Sequence, residues 1–350
     1  MIELHDCAAL AAHCSAHKVD PQLGRRVVRR VLRHGQSLQT ALEELPQAVP
    51  VEWATGLAAG LLPLVDQQDS QADGATKWVF RASNGSSIES VLLRIASGRR
   101  SLCLSIQSHC PVGCRFCSSG FLGKPRALQL TDVLGQVLFA RQHLHAEGSE
   151  LRNLVFMGMG EPLLEERLLH SALERLTADG GFGFSPSRIT VSTVGIPAAM
   201  LRLSESFPKV RQALSLHSAR QAVRERLIPF AKRHSLEELR RTVQSIGESA
   251  GAQVLVEYLL LEGVNDGVQD ELNLATWLEG LPVKLNLIPY NPPLERTSLG
   301  TVDFDLRATQ RAAREAFAGR LRERGFSTTL RYSLGSEISA ACGQLAVRPR

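Results

Sequence analysis

Three cysteines stand together at Cys110-Pro-Val-Gly-Cys114-Arg-Phe-Cys117, directly after the apolar run Ser101–Ile106. Iron–sulfur electron carriers normally close every position with four cysteines, so three leave one iron of a cubane cluster without a protein ligand. That iron is free to hold a substrate. Such a cluster can bind S-adenosylmethionine (SAM) and cleave it reductively to a carbon radical, one of the hard reactions that proteins delegate to cofactors. The same spacing could begin a zinc site, but those sites pair one short couple of ligands with another, and no second couple follows. His109 abuts Cys110 and reads as a loop residue rather than a ligand.

A second stretch with chemical content is Met157-Gly-Met-Gly-Glu161-Pro-Leu163. Gly158 and Gly160 allow a backbone to come close to a ligand, and Pro162 suits the first turn of a following helix. Glu161 offers a carboxylate that can accept a charged hydrogen bond from an amino-acid ammonium such as that of SAM. Other candidates are weaker alone. Cys342, in Ile338–Leu345, has the surroundings of a packed core thiol, and Glu89 stands as a lone carboxylate at the start of a strand.

These residues need elements to position them. Up to about residue 70 the chain looks helical, and Arg25, Arg26, Arg29, Arg30 and Arg33 fall on one helical face with Val27, Val28, Val31 and Leu32 on another. That basic face is either simply solvated or tracks phosphates. Cys7 and Cys14 read as core residues. The polar stretch Asp66–Gly74 reads as a linker, and Lys77–Ala82 and Ile88–Ile95 as strands flanking the turn dipeptide Asn84-Gly85.

From Ser101 on, strands alternate with amphipathic helices. The strands are expected at Leu102–Gln107, Asn153–Met159, Arg188–Thr193, Val210–Ser218, Gln253–Leu261 and Lys284–Tyr290, and helices at Thr131–Ala146, Leu163–Thr177 and Ser235–Ala250. That pattern implies a parallel sheet. Cys103, Ser105 and Gln107 share one strand face, as do Thr190 with Ser192 and Ser215 with His217. A sheet buried on both faces would be apolar throughout, so the fold class is α/β with a partial (β/α) barrel core surrounding a ligand. A helix over about 305–325, a strand at Phe326–Tyr332 and the loop Ser333–Gln344 close the chain. The domains are expected as a helical 1–75 and a catalytic 76–350, the latter divided into a hairpin extension 76–100, a barrel core 101–302 and a thiol-bearing end 303–350.

Length and composition agree. At 350 residues the chain can bury a large core. Seven cysteines, the lack of a basic-then-apolar leader and the lack of a bilayer-length apolar run point to a reducing cytoplasm and no membrane. A net charge of +5 with a pI near 8.9 fits an anionic partner such as RNA without demanding one. No heptad pattern appears, so a monomer is the default.

Together these residues resemble the RlmN and Cfr family of radical SAM RNA methyltransferases. The resemblance runs from about Glu89 to Leu345 and is narrowest at Ala340-Ala-Cys342-Gly-Gln-Leu345. It implies that Cys110, Cys114 and Cys117 hold a [4Fe-4S] cluster and that Gly160, Glu161, Ser192, Ser215, Leu216, His217 and Asn291 contact SAM. Cys342 is similar to the family's methylated cysteine, Cys103 to its second catalytic cysteine and Glu89 to its proton acceptor. The implied reaction methylates carbon 2 or 8 of an adenosine in 23S rRNA or tRNA and leaves a disulfide, with a flavodoxin or ferredoxin as electron donor. Three segments depart from the family pattern: Val194 within Ser192–Gly195, Phe230-Ala231, and the loop after Asn291. A radical SAM enzyme with a non-RNA substrate and a zinc-stabilised nucleic-acid binding module are the alternatives.

Overall fold

In a computed structural model describing residues 1–121, 126–292 and 306–346, the chain begins with short elements around a small core. These are β1 (Ile2–Glu3), α1 (Cys7–Ala16), α2 (Pro21–Val28), α3 (Leu38–Glu43), α4 (Val51–Thr55) and β2 (Leu57–Ala58), with β1 and β2 paired in parallel. Two short strands thus interrupt a region expected to be all helical. Asp6 caps α1 by accepting from the Ala9 amide, and Asp20 accepts from the Gln22 amide with Pro21 opening α2. The helix continues through a wider turn at Arg29–Arg33. Val27, Val28, Val31 and Leu32 are buried, while Arg25, Arg26, Arg29 and Arg33 are exposed and Arg30 pairs with Glu44 at 2.9 Å. Cys14 is a core residue; Cys7 is exposed, because it stands on the outward side of α1.

The expected linker is a strand. β3 (Leu64–Asp69) pairs antiparallel with β4 (Thr76–Arg81), which pairs with β5 (Ser87–Arg94) around the Asn84-Gly85 turn. An edge strand needs no apolar face, so Asp66–Asp69 can be polar and still carry a ladder. Side chains reinforce it: Thr76 Oγ1 donates to Asp69 at 2.6 Å and Trp78 Nε1 donates to Gln67 at 2.9 Å.

Beyond β5 the chain alternates strand and helix. The succession is β6 (Arg100–Cys103), α5 (Leu130–Ala146), β7 (Asn153–Phe156), α6 (Glu166–Thr177), β8 (Ile189–Thr193), α7 (Pro197–Ser206), β9 (Arg211–Ser215), α8 (Gln221–Leu227), α9 (Leu236–Ala250), β10 (Val254–Leu260), α10 (Val268–Leu278), β11 (Val283–Pro289), α11 (Arg311–Glu323) and β12 (Thr328–Leu330). Strands β3 to β12 lie side by side in chain order, antiparallel up to β6 and parallel from β6 onward. A doubly wound sheet reverses its order at a switch point; this one never does. Right-handed crossovers running one way place their helices on one face and leave the other free to line an interior. The expected partial barrel is therefore present, open between β12 and β3.

Several strands end earlier than alternation suggests. β6 stops at Cys103, because Ser105 leaves the ladder: its hydroxyl donates to the Glu89 carbonyl at 2.6 Å and accepts from the Met159 amide at 2.9 Å. Gln107 likewise accepts from the Glu161 amide at 2.9 Å and donates to Glu165 at 2.8 Å. Of the three polar residues expected to face a ligand, Cys103 alone lines either of the two cavities at the strand ends; the other two tie loops together.

Candidate active site

The C-terminal ends of β6 to β11 surround a cavity, as parallel strand ends do in barrels. Cys110, Cys114 and Cys117 form one wall. Their loop folds tightly because Gly113 adopts φ +69° and Gly120 passes so close that a Cβ there would meet the Gly113 Cα at 3.0 Å. The Cys117 amide donates to the Cys114 carbonyl at 3.1 Å, and the Arg115 amide to the Leu227 carbonyl at 2.9 Å. His109 hydrogen bonds Ser108 at 3.0 Å and stays off the wall.

The three thiols sense one another. Burial, then the Cys117 thiol, pushes Cys110 up to about 12, and burial followed by the two neighbouring thiols raises Cys114 as well. Thiolates here need cations to compensate them. Arg224 supplies one fixed charge beside Cys114: it is 1% exposed and donates to the carbonyls of Ser215 (2.7 Å), Leu216 and Val194. Three thiols on one wall match the three protein ligands of a cubane that keeps one iron open. The donor set fits a cluster.

Facing the thiols is Glu161. Its Oε2 accepts from the Val194 amide at 2.9 Å and its Oε1 from the Leu163 amide at 3.1 Å, while burial drives the carboxyl up to about 7 against these bonds. The bond from Val194 comes from its backbone amide and so does not depend on which side chain stands there. The glycines beside Glu161 serve protein packing: a Cβ on Gly158 would meet the Leu104 carbonyl oxygen at 2.5 Å, and one on Gly160 (φ +106°) would meet Gln107 at 2.8 Å. Both glycines also line the cavity, where the expected close approach of a ligand to the backbone would take place.

Ser192, Ser215 and His217 line the same cavity with Gly160 and Glu161. His217, at φ +57°, accepts from the Leu259 amide through Nδ1 at 3.0 Å, and burial followed by Arg224 pushes its pKa down to about 3, so the ring is neutral. Leu216 does not join them; its side chain is in the hydrophobic core and only its backbone is near. Asn291 stands instead on the wall of a neighbouring cavity, 3.4 Å from the Cys342 carbonyl. The loop following it lies, beyond Pro292, outside the described residues. Sequence reading missed Thr193, Glu257 and Arg331, which also line the first cavity. Glu257 had a signal, a single carboxylate inside the apolar strand Val254–Leu260.

The second cavity, of about 400 Å3, opens alongside the first, and Cys342, Met157, Ile288, Arg331 and Leu345 belong to both. Cys103 lies on its wall. Burial, then the Cys342 thiol, pushes Cys103 up to about 12; Cys342, although its residue reaches solvent, is raised as well by the protein packed around its thiol and then by the Cys117 thiol, and the Arg331 charge opposes both. Two thiols 239 positions apart thus meet, on the sheet face that also carries Glu89: Val79 pairs with Glu89, and Val91 with Cys103. Glu89 itself is buried, with the Ala346 backbone amide nearby, and lines neither cavity.

The Cys342 loop is fastened on both sides. Glu337 accepts from the amides of Gln71 (2.9 Å) and Ala72 (3.1 Å), and Asp73 accepts from the Gly335 amide at 2.7 Å. On the other side the Ser118 amide donates to the Gly343 carbonyl at 2.7 Å and the Ser119 hydroxyl to the Leu345 carbonyl at 2.7 Å. Glu337→Ala removes two exposed charge-assisted bonds, about 1 kcal/mol in all. Hydrogen exchange over 338–345 should then quicken about fivefold while that of α5 is unchanged.

An open parallel barrel with a three-thiol loop at its strand ends is the architecture of a radical SAM protein, and residues 104–275 match the model of the Radical SAM superfamily. The chain is 42% identical over 99% of its length to an enzyme named "Probable RNA methyltransferase" from Rhodopirellula baltica, covering 87% of that protein. It is 38% identical over 93% of its length to the dual-specificity RNA methyltransferase RlmN of Anaeromyxobacter dehalogenans, covering 86% of it. A crystal structure of a radical SAM methyltransferase from Sphaerobacter thermophilus superposes with a TM-score of 0.88 at 32% identity, over 98% of this chain and 99% of that one. The chain belongs to the RlmN family of radical SAM RNA methyltransferases. No helix among the described residues is long and apolar enough to cross a membrane.

Proposed function

We propose that this enzyme moves a methyl group from SAM onto ring carbon 2 of an adenosine in 23S rRNA or tRNA, with carbon 8 as the neighbouring possibility, by way of S-methylated Cys342. The observation that carries this reading is the meeting of Cys342 and Cys103 at a cavity adjoining the three-thiol wall. Cys110, Cys114 and Cys117 hold a [4Fe-4S] cluster; Gly160, Glu161, Ser192, Ser215 and His217 hold SAM, with Leu216 contributing backbone only and Asn291 acting through the Cys342 loop. When bound, the cluster and SAM would supply a carbon-centred radical, and the cluster would be the acceptor for the one electron that the RNA adduct must lose.

The chain's own residues do the rest. An adenine ring carbon is not nucleophilic, so the methyl must first pass to a stronger nucleophile, the Cys342 thiolate. After the one-carbon unit has joined the ring, Glu89 takes the ring proton. Cys103 then attacks the Cys342 sulfur: the S–S bond forms, the S–C bond breaks with its electrons going to carbon, and a proton completes the methyl group. The resulting disulfide needs a dithiol reductant before another turnover. A flavodoxin or ferredoxin serves the cluster. The N-terminal residues 1–75 bind RNA through the exposed Arg25, Arg26, Arg29 and Arg33, residues 76–350 form the catalytic part, and the enzyme acts in the cytoplasm as a monomer.

Intact-protein mass spectrometry after anaerobic reconstitution with SAM tests the reading. A single methyl increment on Cys342, and methyladenosine in added RNA, are expected. A methyl-free Cys342 in protein that methylates RNA would overturn the route, and modification of a protein or small molecule with RNA untouched would favour the non-RNA alternative. Family membership sets the zinc-stabilised binding module aside.

A further inference from the structure

Two ionisable groups lie buried together on the antiparallel extension, away from the thiol loop. Lys77 Nζ stands 3.6 Å from Glu89 Oε1, and the residues are 7% and 3% exposed. A surface lysine carries its ammonium out to water on a flexible stem; this one does not. The strand register explains where it points. Val79 pairs with Glu89, Lys77 with Val91, and Val91 with Cys103, so Lys77, Glu89 and Cys103 share one face of the sheet. Glu89 Oε2 is buried and has no hydrogen-bond partner. A buried ion pair contributes little net stability against an apolar replacement, so its presence here asks for a chemical reason.

We infer that Lys77 is a positioning residue that keeps Glu89 ionised, with Oε2 left free to receive the ring proton of the adenosine. This rests on the role given to Glu89 above. In the step concerned, the ring C–H bond breaks, its electron pair stays with the ring, and the proton passes to Oε2. Glu89 becomes neutral and Lys77 keeps its charge. A carboxyl that is already protonated cannot take part. Burial raises the Glu89 carboxyl above its ordinary range, and the Lys77 charge, then the Ala346 amide, pull it back. The groups facing it are Lys77 from β4, the Ala346 amide from the C-terminal segment and, further along the same face, Cys103 from β6.

The test uses Lys77→Met, with Lys77→Arg as the conservative variant. In the full chain without RNA, infrared difference spectra of Lys77→Met should show a protonated-carboxyl band near neutral pH that is missing from wild type and disappears when Glu89→Gln is added. In the loaded enzyme, the protein–RNA adduct should clear at least about tenfold more slowly at neutral pH, tenfold for each unit by which the carboxyl rises. The rate should return as pH increases. Lys77→Arg should restore the wild-type rate and abolish the band. Lys77→Met with no band and a wild-type pH profile would overturn the inference. Should Lys77→Met not fold, Lys77→Gln keeps a donor without the charge and gives the same two outcomes. A wild-type enzyme that makes no methyladenosine would instead overturn the reading beneath, and the infrared result would still decide about Lys77.

Discussion

Cys103→Ala is expected to stall with RNA covalently attached to Cys342. The geometry sets this result apart from a general loss of activity. Cys103 lines the second cavity and is absent from the first, where Cys110, Cys114 and Cys117 stand. Removing its sulfur should leave iron content and the methyl increment on Cys342 as in wild type. Only the final S–S bond is lost, and with it the release of product. Multiple turnover should fall by on the order of a thousandfold or more, as when one member of a cooperating set is removed. Denaturing gels should show RNA migrating with protein, in an amount close to the enzyme present. Normal multiple turnover by Cys103→Ala would contradict the role given to this thiol.

Arg224→Met should have the largest effect on stability. Its guanidinium donates to the carbonyls of Val194, Ser215 and Leu216, joining the ends of β8 and β9 beneath the cavity. Burial lowers its pKa to about 10, the Cys114 thiol opposing, so it remains charged at neutral pH. Methionine fills similar space but satisfies none of the three carbonyls. Losing one side of a buried charged network costs about 3–5 kcal/mol, readable as a lower urea midpoint at unchanged slope. Because the same charge faces Cys114, reconstituted iron should also fall. An Arg224→Met protein as stable and as iron-rich as wild type would show that other donors replace the guanidinium.

The barrel and most of its site could be read from the residues, for local reasons. Short strands such as Ile189–Thr193 alternate cleanly, and a three-cysteine loop is defined by spacing alone. The failures share a cause, which is that pairing partners lie far away in sequence. β3 looked like a linker because its residues are polar on both faces; it is a strand because β4 supplies the ladder. Ser105 and Gln107 alternate as ligand-facing residues would, yet their polar atoms are used by Glu89, Met159, Glu161 and Glu165. Leu216 sits in a motif whose neighbours face the cavity, but strand alternation turns it into the core. Arg331 and Lys77 gave no signal, since an isolated basic residue in a strand is most often a solvated one.

The convergence of the chain's end on its first parallel strand has a mechanical outcome. Bonding Cys103 to Cys342 would enclose more than two-thirds of the polypeptide in a covalent ring, and closing a loop of that size restricts the unfolded chain by about 5 kcal/mol. The spent, oxidised enzyme would then resist heat better than the form ready to react. Each cycle would end in the sturdiest state of the molecule, and the cell's thiol reductants would have to loosen it before it could work again.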